Sequence, residues 1–198
     1  MRVGIFGGTF DPPHLGHLIL SEEAQYQLEI DRMLWVLTAD PPHKHGLPIT
    51  RLEDRLALVH AAIDDNPSFE LSRIDIDRPG PHFALDTVRL IGAQFPEAEL
   101  YYLIGGDSLR DLPAWHCPQD LLRSVKTLGV MRRPGDEIDL TTIEEQVPGV
   151  SAKVHFVDAP LLEISSSQIR ARAAEGKPYR YYLPEAVFNL VQSLQLYR

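Results

Sequence analysis

A short string near the start of the chain holds residue types that bind and transfer phosphate groups. It runs from Gly7 to His17 as GGTFDPPHLGH and follows a buried β-rich run, where an α/β fold turns from strand to helix. Gly7 and Gly8 permit positive φ and a close backbone approach, so main-chain amides at this turn can face a phosphate. His14 and His17 are three residues apart, which places both imidazoles on one face of the first helical turn. The string predicts a phosphate site with two imidazole donors.

Two other phosphate motifs are missing from the sequence: there is no GxxxxGK[ST], and no GxGxxG follows the first strand. Gly16, between the histidines, allows a bulky ligand or a neighbouring chain to come close. The H-x-G-H ending resembles the signature of the HxGH nucleotidylyltransferase superfamily, whose members activate ATP at its α-phosphate. This resemblance implies that His14 and His17 are catalytic and donate hydrogen bonds to the ATP phosphates. It also implies ATP contacts at the turn from Gly7, Gly8, Thr9 and Phe10.

Two later segments resemble ATP-binding motifs of the same superfamily. Ile164–Arg170 reads ISSSQIR and begins a helix whose free amides and positive dipole end favour an anion. The family's ISSTxIR motif binds the ATP phosphates, and here a serine replaces its threonine. The resemblance makes Arg170 a catalytic residue and places Ser166 and Ser167 at the ATP. In LIGGDS, similarity to the family's IGxDS implies that Gly105 and Asp107 contact ATP, with a ribose or metal-associated role for the carboxylate.

The implied chemistry needs positioning and positive charge more than it needs a base. A phosphate monoester, with a second pKa of about 6, is already largely dianionic at neutral pH and can attack the α-phosphate directly. The barrier then lies in bringing two anions together and stabilising the departing pyrophosphate, a task for cationic donors and a metal ion. We expect Mg²⁺ as the cofactor, held mainly by ATP phosphates and water, and the sequence leaves its protein ligands unknown.

The mononucleotide acceptor is indicated by a resemblance that spans the chain. Segments similar to those of the nicotinate-nucleotide adenylyltransferases occur in order at 7–17, 41–44, 82–87, 105–115 and 164–170. In that family the PPHK segment contacts the incoming phosphate, which implies that Lys44 is a substrate cation with a catalytic role. Arg132, after the fifth strand, adds positive charge for nicotinate mononucleotide. The resemblance therefore predicts ATP and nicotinate mononucleotide as the substrates.

The same resemblance implies a pocket for the pyridine ring. Family members stack this ring against aromatic side chains, and the matching positions are Phe83 and Trp115. Main-chain amides near these segments hold the nicotinate carboxylate in the family, which assigns that role to Ala84 and His116. The chain departs from the family's SYTxDT pattern by reading HFALDT, so a tyrosine and a threonine hydroxyl are missing.

The elements that must position these residues alternate between short β-rich runs and helical patterns, which predicts a parallel sheet. We expect one domain, 1–198, of the α/β class: a Rossmann-like doubly wound parallel sheet with helices on both faces. The predicted strands are Arg2–Phe6, Met33–Thr38, Glu70–Ser72, Glu99–Ile104, Thr127–Met131 and Lys153–Val157. The predicted helices are Leu15–Leu28, one from the capping box Thr50–Glu53 to about Ala62, Ile169–Ala174 after the capping box Ser165–Gln168, and a last helix with Pro184 in its first turn.

Composition limits the partners. The formal charge of -9 argues against a nucleic-acid binder held by phosphate contacts. Cys117 is the one cysteine, so an intramolecular disulfide is excluded and a reducing, cytoplasmic location is expected. The sequence shows neither a signal peptide nor a membrane-length apolar run, and it leaves a homo-oligomer open.

Three alternatives stay open at this point. A related adenylyltransferase could prefer nicotinamide mononucleotide or another phosphomonoester. A non-catalytic nucleotide-binding domain would be expected to have lost a motif histidine or Arg170, and none is lost. A metalloprotein could use His43 and His45 as zinc ligands, although no HExxH or cysteine cluster accompanies them.

Overall fold

The core of the molecule is a parallel sheet. The computed structural model describes residues 1–39, 49–131, 138–160 and 162–198. Within these residues the strands are Arg2–Gly8 (β1), Arg32–Leu37 (β2), Phe69–Ser72 (β3), Glu99–Gly105 (β4), Thr127–Met131 (β5) and Val154–Val157 (β6). They form one six-stranded sheet in the order β3-β2-β1-β4-β5-β6, with every neighbouring pair parallel. The order reverses between β1 and β4, so a crevice is expected at the carboxyl ends of these two strands.

Helices cover both faces of the sheet. In the described part of the chain they are Leu15–Gln27 (α1), Leu52–Ile63 (α2), Ala84–Gln94 (α3), Gly106–Asp111 (α4), Pro118–Ser124 (α5), Leu140–Gln146 (α6), Ser166–Ala174 (α7) and Glu185–Ser193 (α8). One core, around Trp35, packs the sheet against α1, α2, α7 and α8. The other, around Leu128, packs it against α3, α4, α5 and α6. The predicted doubly wound architecture is confirmed.

The predicted strands are confirmed, with ends that differ by a residue or two. β5 has the predicted bounds, whereas β1 continues through Gly7 and Gly8, which pair with Val36 and Leu37 of β2. The central strands are continuous apolar runs because both of their faces are covered by helices. The prediction of a single domain over residues 1–198 stays a prediction.

The predicted capping box at Thr50 is wrong. The helix α2 begins at Leu52, and Arg51 precedes it without a side-chain cap. Thr50 is instead held from two sides, because its N–H donates to Asp11 Oδ2 (3.2 Å) and its carbonyl accepts from Arg55 Nε (3.0 Å). A tertiary contact has thus overridden a local capping pattern.

The other two helix starts lie close to their predicted places. Ser165 precedes α7, and its Oγ accepts a hydrogen bond from the Gln168 N–H at 3.2 Å. Pro184 is the residue immediately before α8 and not a member of its first turn. In the described part of the chain, no helix combines the length and the apolar character that crossing a membrane would require.

Candidate active site

A cleft of about 550 Å³ opens at the carboxyl ends of β1 and β4, where the sheet order reverses. It is lined by most of the residues that the sequence singled out: Gly7, Thr9, Phe10, His14, His17, Gly105, Asp107, Trp115, Ser166, Ser167 and Arg170. The described lining does not include Gly8, Phe83, Ala84 or His116. Lys44 and Arg132 lie outside the described residues, as do His43 and His45.

The two motif histidines form a stacked pair at the start of α1. Their ring centroids are 3.7 Å apart with an interplanar angle of 27°. The main-chain N–H of His14 donates to Nδ1 of His17 at 3.1 Å. Because Nδ1 accepts this bond, a neutral His17 ring carries its proton on Nε2. The backbone thereby fixes both the orientation and the tautomer of His17.

A cluster of aromatic side chains packs against the His17 ring. Phe10 is 2% exposed and meets His17 edge to face, with ring centroids 5.2 Å apart. Phe10 also packs against Trp35 at 4.9 Å and Phe6 at 5.4 Å. Phe10 is predicted from the sequence to contact ATP, and in the structure its ring packs against the His17 ring.

The turn after β1 differs in detail from its prediction. Gly7 and Gly8 do not adopt positive φ; the residue in the left-handed region is Phe10, at φ 47°. Gly8 is needed for space, because a Cβ there would come within 2.8 Å of the Phe10 ring. Gly7 is exposed at the cleft, and a Cβ there would meet Tyr102 Oη at 3.7 Å.

The helix α7 is fastened by two hydrogen bonds to residues 9–17, which comprise the turn after β1 and the first turn of α1 and are called the histidine loop below. Arg170 donates from Nη1 to the Asp11 carbonyl at 2.7 Å, and Ser166 Oγ donates to the Pro12 carbonyl at 2.8 Å. The amino end of α7 therefore faces the same space as His14 and His17. Helical amides, the Ser167 hydroxyl and the N–H groups of Arg170 that do not bond Asp11 converge there, which is a suitable set of donors for a polyphosphate.

At the end of β4, the Asp107 carboxylate in the first turn of α4 lies against the backbone of Gly105. Gly105 precedes this helix, and a Cβ on Gly105 would collide with Asp107 Oδ1. The glycine is therefore required for the position of the Asp107 carboxylate at the cleft. That position suits an acceptor for a ribose hydroxyl or for water around a metal ion.

The aromatic residues expected at the pyridine ring are divided between two places. Trp115 lines the cleft and lies edge to face with Tyr102, with ring centroids 6.4 Å apart. Phe83 instead stacks on the His116 ring at 4.3 Å and an interplanar angle of 22°. One face of Phe83 is thus covered by His116, whereas Trp115 faces the cleft.

Sequence reasoning missed a buried arginine that holds the site together. The Arg55 side chain is 2% exposed and donates to four carbonyl oxygens, those of Thr9, Thr38, Ala39 and Thr50, at 2.9–3.1 Å. Burial lowers the pKa of this guanidinium, and the charge on Asp11 opposes that shift. A signal was available, because Arg55 falls on the same helical stripe as Leu52 and Val59.

A second polar network beneath the cleft was also missed. Buried Asp75 accepts hydrogen bonds from Thr87 Oγ1 (2.8 Å) and Arg78 Nη2 (2.8 Å). Its charge and the burial of Tyr102 raise the pKa of the Tyr102 phenol, with burial the larger cause. Tyr102 therefore stays a neutral hydroxyl on the cleft wall. Nothing local in the sequence indicates that Tyr102 reaches the cleft, because a tyrosine in a buried strand usually packs in the hydrophobic core.

Comparisons with known proteins agree with this geometry. Residues 5–172 match the family model described as Cytidylyltransferase-like. A Thermomicrobium roseum protein named "Probable nicotinate-nucleotide adenylyltransferase" is 45% identical over 197 residues, covering 100% of this chain and 92% of the relative. A protein of the same name from Exiguobacterium sibiricum is 41% identical and covers 100% of this chain and 99% of the relative.

Solved structures support the fold. The Plasmodium falciparum nicotinic acid mononucleotide adenylyltransferase complexed with NaAD superposes with a TM-score of 0.81 at 18% identity, covering 99% of this chain and 97% of that one. The same protein complexed with APC gives a TM-score of 0.79, over 99% and 96% of the two chains. At this identity the likeness establishes the fold alone.

The doubly wound sheet, the histidine pair and the family match define a nucleotidyltransferase of the Cytidylyltransferase-like family. Within that class, the identity over the full chain settles the branch. The protein belongs to the nicotinate-nucleotide adenylyltransferase family, and the predicted family is confirmed.

Proposed function

We propose that this chain transfers the adenylyl group of ATP to nicotinate mononucleotide, releasing pyrophosphate and giving deamido-NAD. The observation that carries this proposal is the convergence of His14, His17, Arg170 and the amino end of α7 on one cleft. Such a group of donors suits a triphosphate whose α-phosphate is under attack. The family to which the chain belongs indicates the acceptor.

The reaction is a direct displacement at phosphorus. The phosphate of the mononucleotide, already dianionic at neutral pH, attacks the α-phosphate, and the bond to the departing pyrophosphate breaks. His17 donates from Nε2 and stabilises charge on the phosphates as it develops. Arg170 and the amides at the start of α7 hold the β- and γ-phosphates. Lys44, outside the described residues, supplies the cation for the incoming phosphate.

Mg²⁺ is the proposed cofactor. Among the described residues, no cluster of three or more histidine, cysteine, aspartate or glutamate side chains could hold a metal ion by itself. The Asp107 carboxylate at the cleft nevertheless fits the oxygen donors that Mg²⁺ prefers, alongside phosphates and water. When bound with ATP, Mg²⁺ would neutralise phosphate charge. The protein's own part is to orient the triphosphate.

The pyridine half of the acceptor lies, in this proposal, against Trp115. Phe83 and His116 stack on each other. The amides of Ala84 and His116 are proposed to receive the nicotinate carboxylate. Amide donors favour a carboxylate over a neutral carboxamide, because a hydrogen bond to a charged acceptor is roughly twice as strong.

The test is pyrophosphate release from ATP and Mg²⁺ with nicotinate mononucleotide, nicotinamide mononucleotide or no acceptor. We expect kcat/KM at least about tenfold higher with the nicotinate form, which corresponds to about 1.4 kcal/mol of preference. Mass spectrometry of the product should show deamido-NAD. Equal or faster turnover with the nicotinamide form would point to the first alternative. If neither the nicotinate form nor the nicotinamide form leads to pyrophosphate release, catalysis by this chain is contradicted.

A further inference from the structure

The Asp11 carboxylate is a buried charge inside the histidine loop. Its side chain is 3% exposed. Oδ2 accepts the Thr50 N–H at 3.2 Å, and Oδ1 accepts the Tyr197 hydroxyl at 2.8 Å. The buried guanidinium of Arg55 is close enough for the two charges to interact. A buried carboxylate of this kind is expensive to keep unless each oxygen has a donor.

The hydroxyl that reaches Asp11 comes from the turn after α8, 186 positions away in sequence. This turn is built from two residues in the left-handed region, Gln195 at φ 53° and Tyr197 at φ 64°. The bond from the Leu196 N–H to the Val191 carbonyl at 3.1 Å closes it. The left-handed region costs an ordinary residue roughly 1 kcal/mol, so contacts elsewhere must compensate.

The main chain at Asp11 and Pro12 is also the place where α7 is attached. Arg170 and Ser166 donate to the two carbonyls of these residues. Three residues after Asp11, His14 begins the turn whose N–H orients His17. A displacement of Asp11 would therefore be passed along a short, hydrogen-bonded segment to both imidazoles.

We propose that Tyr197 is a positioning residue for the reaction, acting through Asp11 to hold the loop that carries His14 and His17. This inference rests on the proposed function for its kinetic consequence. Tyr197 is not among the described residues that line the cleft, whereas Asp11, to which it donates, is one of them. Its hydroxyl is suited to the task because burial and the Asp11 charge raise the pKa of the phenol, so it remains a proton donor.

The matched control is Tyr179, which also uses its hydroxyl near α8. Gln192 Nε2 donates to Tyr179 Oη at 2.6 Å, and no residue of the histidine loop takes part in that bond. Tyr179→Phe and Tyr197→Phe each remove one hydroxyl and one hydrogen bond. Tyr197→Phe should lose more thermal stability than Tyr179→Phe, because it takes a donor from a buried carboxylate and not from a neutral amide. Activities are therefore compared well below both unfolding midpoints, where a difference in kcat reports on the loop.

The experiment compares steady-state adenylyl transfer by wild type, Tyr197→Phe and Tyr179→Phe. We expect kcat to fall about tenfold in Tyr197→Phe with KM for ATP nearly unchanged, because the loss concerns transition-state geometry. Tyr179→Phe should keep the wild-type kcat. In an Asp11→Asn background the further effect of Tyr197→Phe should shrink to less than half, because the two residues act as one unit.

A second readout needs no turnover: the imidazole resonances of His14 and His17 in NMR spectra of labelled protein. They should shift in Tyr197→Phe and stay at their wild-type positions in Tyr179→Phe. Unchanged resonances in Tyr197→Phe, or a kcat equal to that of Tyr179→Phe, would overturn the positioning role. Wild-type protein without pyrophosphate release would instead overturn the proposed function alone, since the resonances would still decide the role of Tyr197.

Discussion

The two ring nitrogens of His17 have different roles, one in the structure of α1 and one in the proposed reaction. Nδ1 accepts the His14 N–H and so completes the amino end of α1. Nε2 then carries the proton of the neutral ring and is the atom assigned to the ATP phosphates. An asparagine at position 17 can keep the structural role, because its amide oxygen lies near the position of Nδ1 and can accept the His14 N–H. Its shorter side chain cannot reach the position of Nε2.

His17→Asn is therefore expected to separate catalysis from stability. We predict that kcat falls about 100-fold, the cost of removing one donor that stabilises transition-state charge. The unfolding midpoint in urea should change little, because the cap of α1 is kept. Pyrophosphate release and urea titration measure the two effects on the same preparation.

The control for this variant is His60→Ala. His60 is exposed in the last turn of α2 and is not among the residues that line the cleft. Its replacement should leave kcat at the wild-type value. A His17→Asn variant that turns over at a rate comparable to His60→Ala would show that the imidazole is not needed, and the mechanism would have to be built on Arg170 and α7 instead.

Among the elements, α1 contains a glycine whose lack of a side chain is required by the neighbouring His14 ring and not by its own backbone conformation. Gly16 lies in the first turn of α1, and a Cβ there would come within 3.1 Å of the His14 ring. A Cβ on Gly92, in the last turn of α3, would come only to an ordinary 3.5 Å from Leu100. Both positions are helical, so alanine is the better helix former at each.

These two glycines predict opposite outcomes from the same substitution. Gly92→Ala should raise the free energy of unfolding by about 0.5–1 kcal/mol and leave kcat unchanged. Gly16→Ala should lower kcat about tenfold, because the His14 ring must move by a few tenths of an ångström and positioning errors are costly. Urea unfolding and initial rates test both. A fully active Gly16→Ala variant would mean that the stacked histidine pair tolerates displacement.

Elements were predictable where a periodic apolar pattern is long or a buried strand is flanked by turns. The six strands follow from apolar runs, and α7 follows from its serine cap. The helices α3, α4, α5 and α6 were not predicted individually. The first three begin after Phe83, Gly105 and Cys117, none of which caps its helix through a side chain, so the usual start signal is missing.

At the scale of the whole molecule, the site depends on contacts between distant parts of the sequence. Arg170 reaches Asp11 across 159 positions. The family resemblance predicted that residues 7–17 and 164–170 act together, because the motifs of a known family carry that information. Arg55 and Tyr197 belong to no such motif. The helical stripe shared with Leu52 and Val59 marks Arg55 as facing the core, but nothing in the sequence links either residue to the loop. Their roles could be found only from the folded arrangement.

Two tyrosines, Tyr102 in the core and the half-buried Tyr197, give the stability of the protein a pH dependence on the alkaline side. Tyr102 and Tyr197 each have a pKa raised by burial, and a nearby carboxylate adds to the rise, Asp75 in one case and Asp11 in the other. Below the ordinary tyrosine pKa of about 10, both phenols are protonated whether the chain is folded or unfolded. Above it, the unfolded chain releases protons that the folded chain retains, so stability must fall.

We predict a loss of about 1.4 kcal/mol of unfolding free energy per pH unit for each of these tyrosines above about pH 10. Tyr102→Phe should make the decline shallower by that amount, and Tyr181→Phe, at a side chain 85% exposed, is the control that should not. Urea unfolding from about pH 8 to about pH 11 covers both sides of the transition. If Tyr102→Phe and wild type lose stability in parallel, the Tyr102 phenol must ionise as readily in the folded protein as in the unfolded chain.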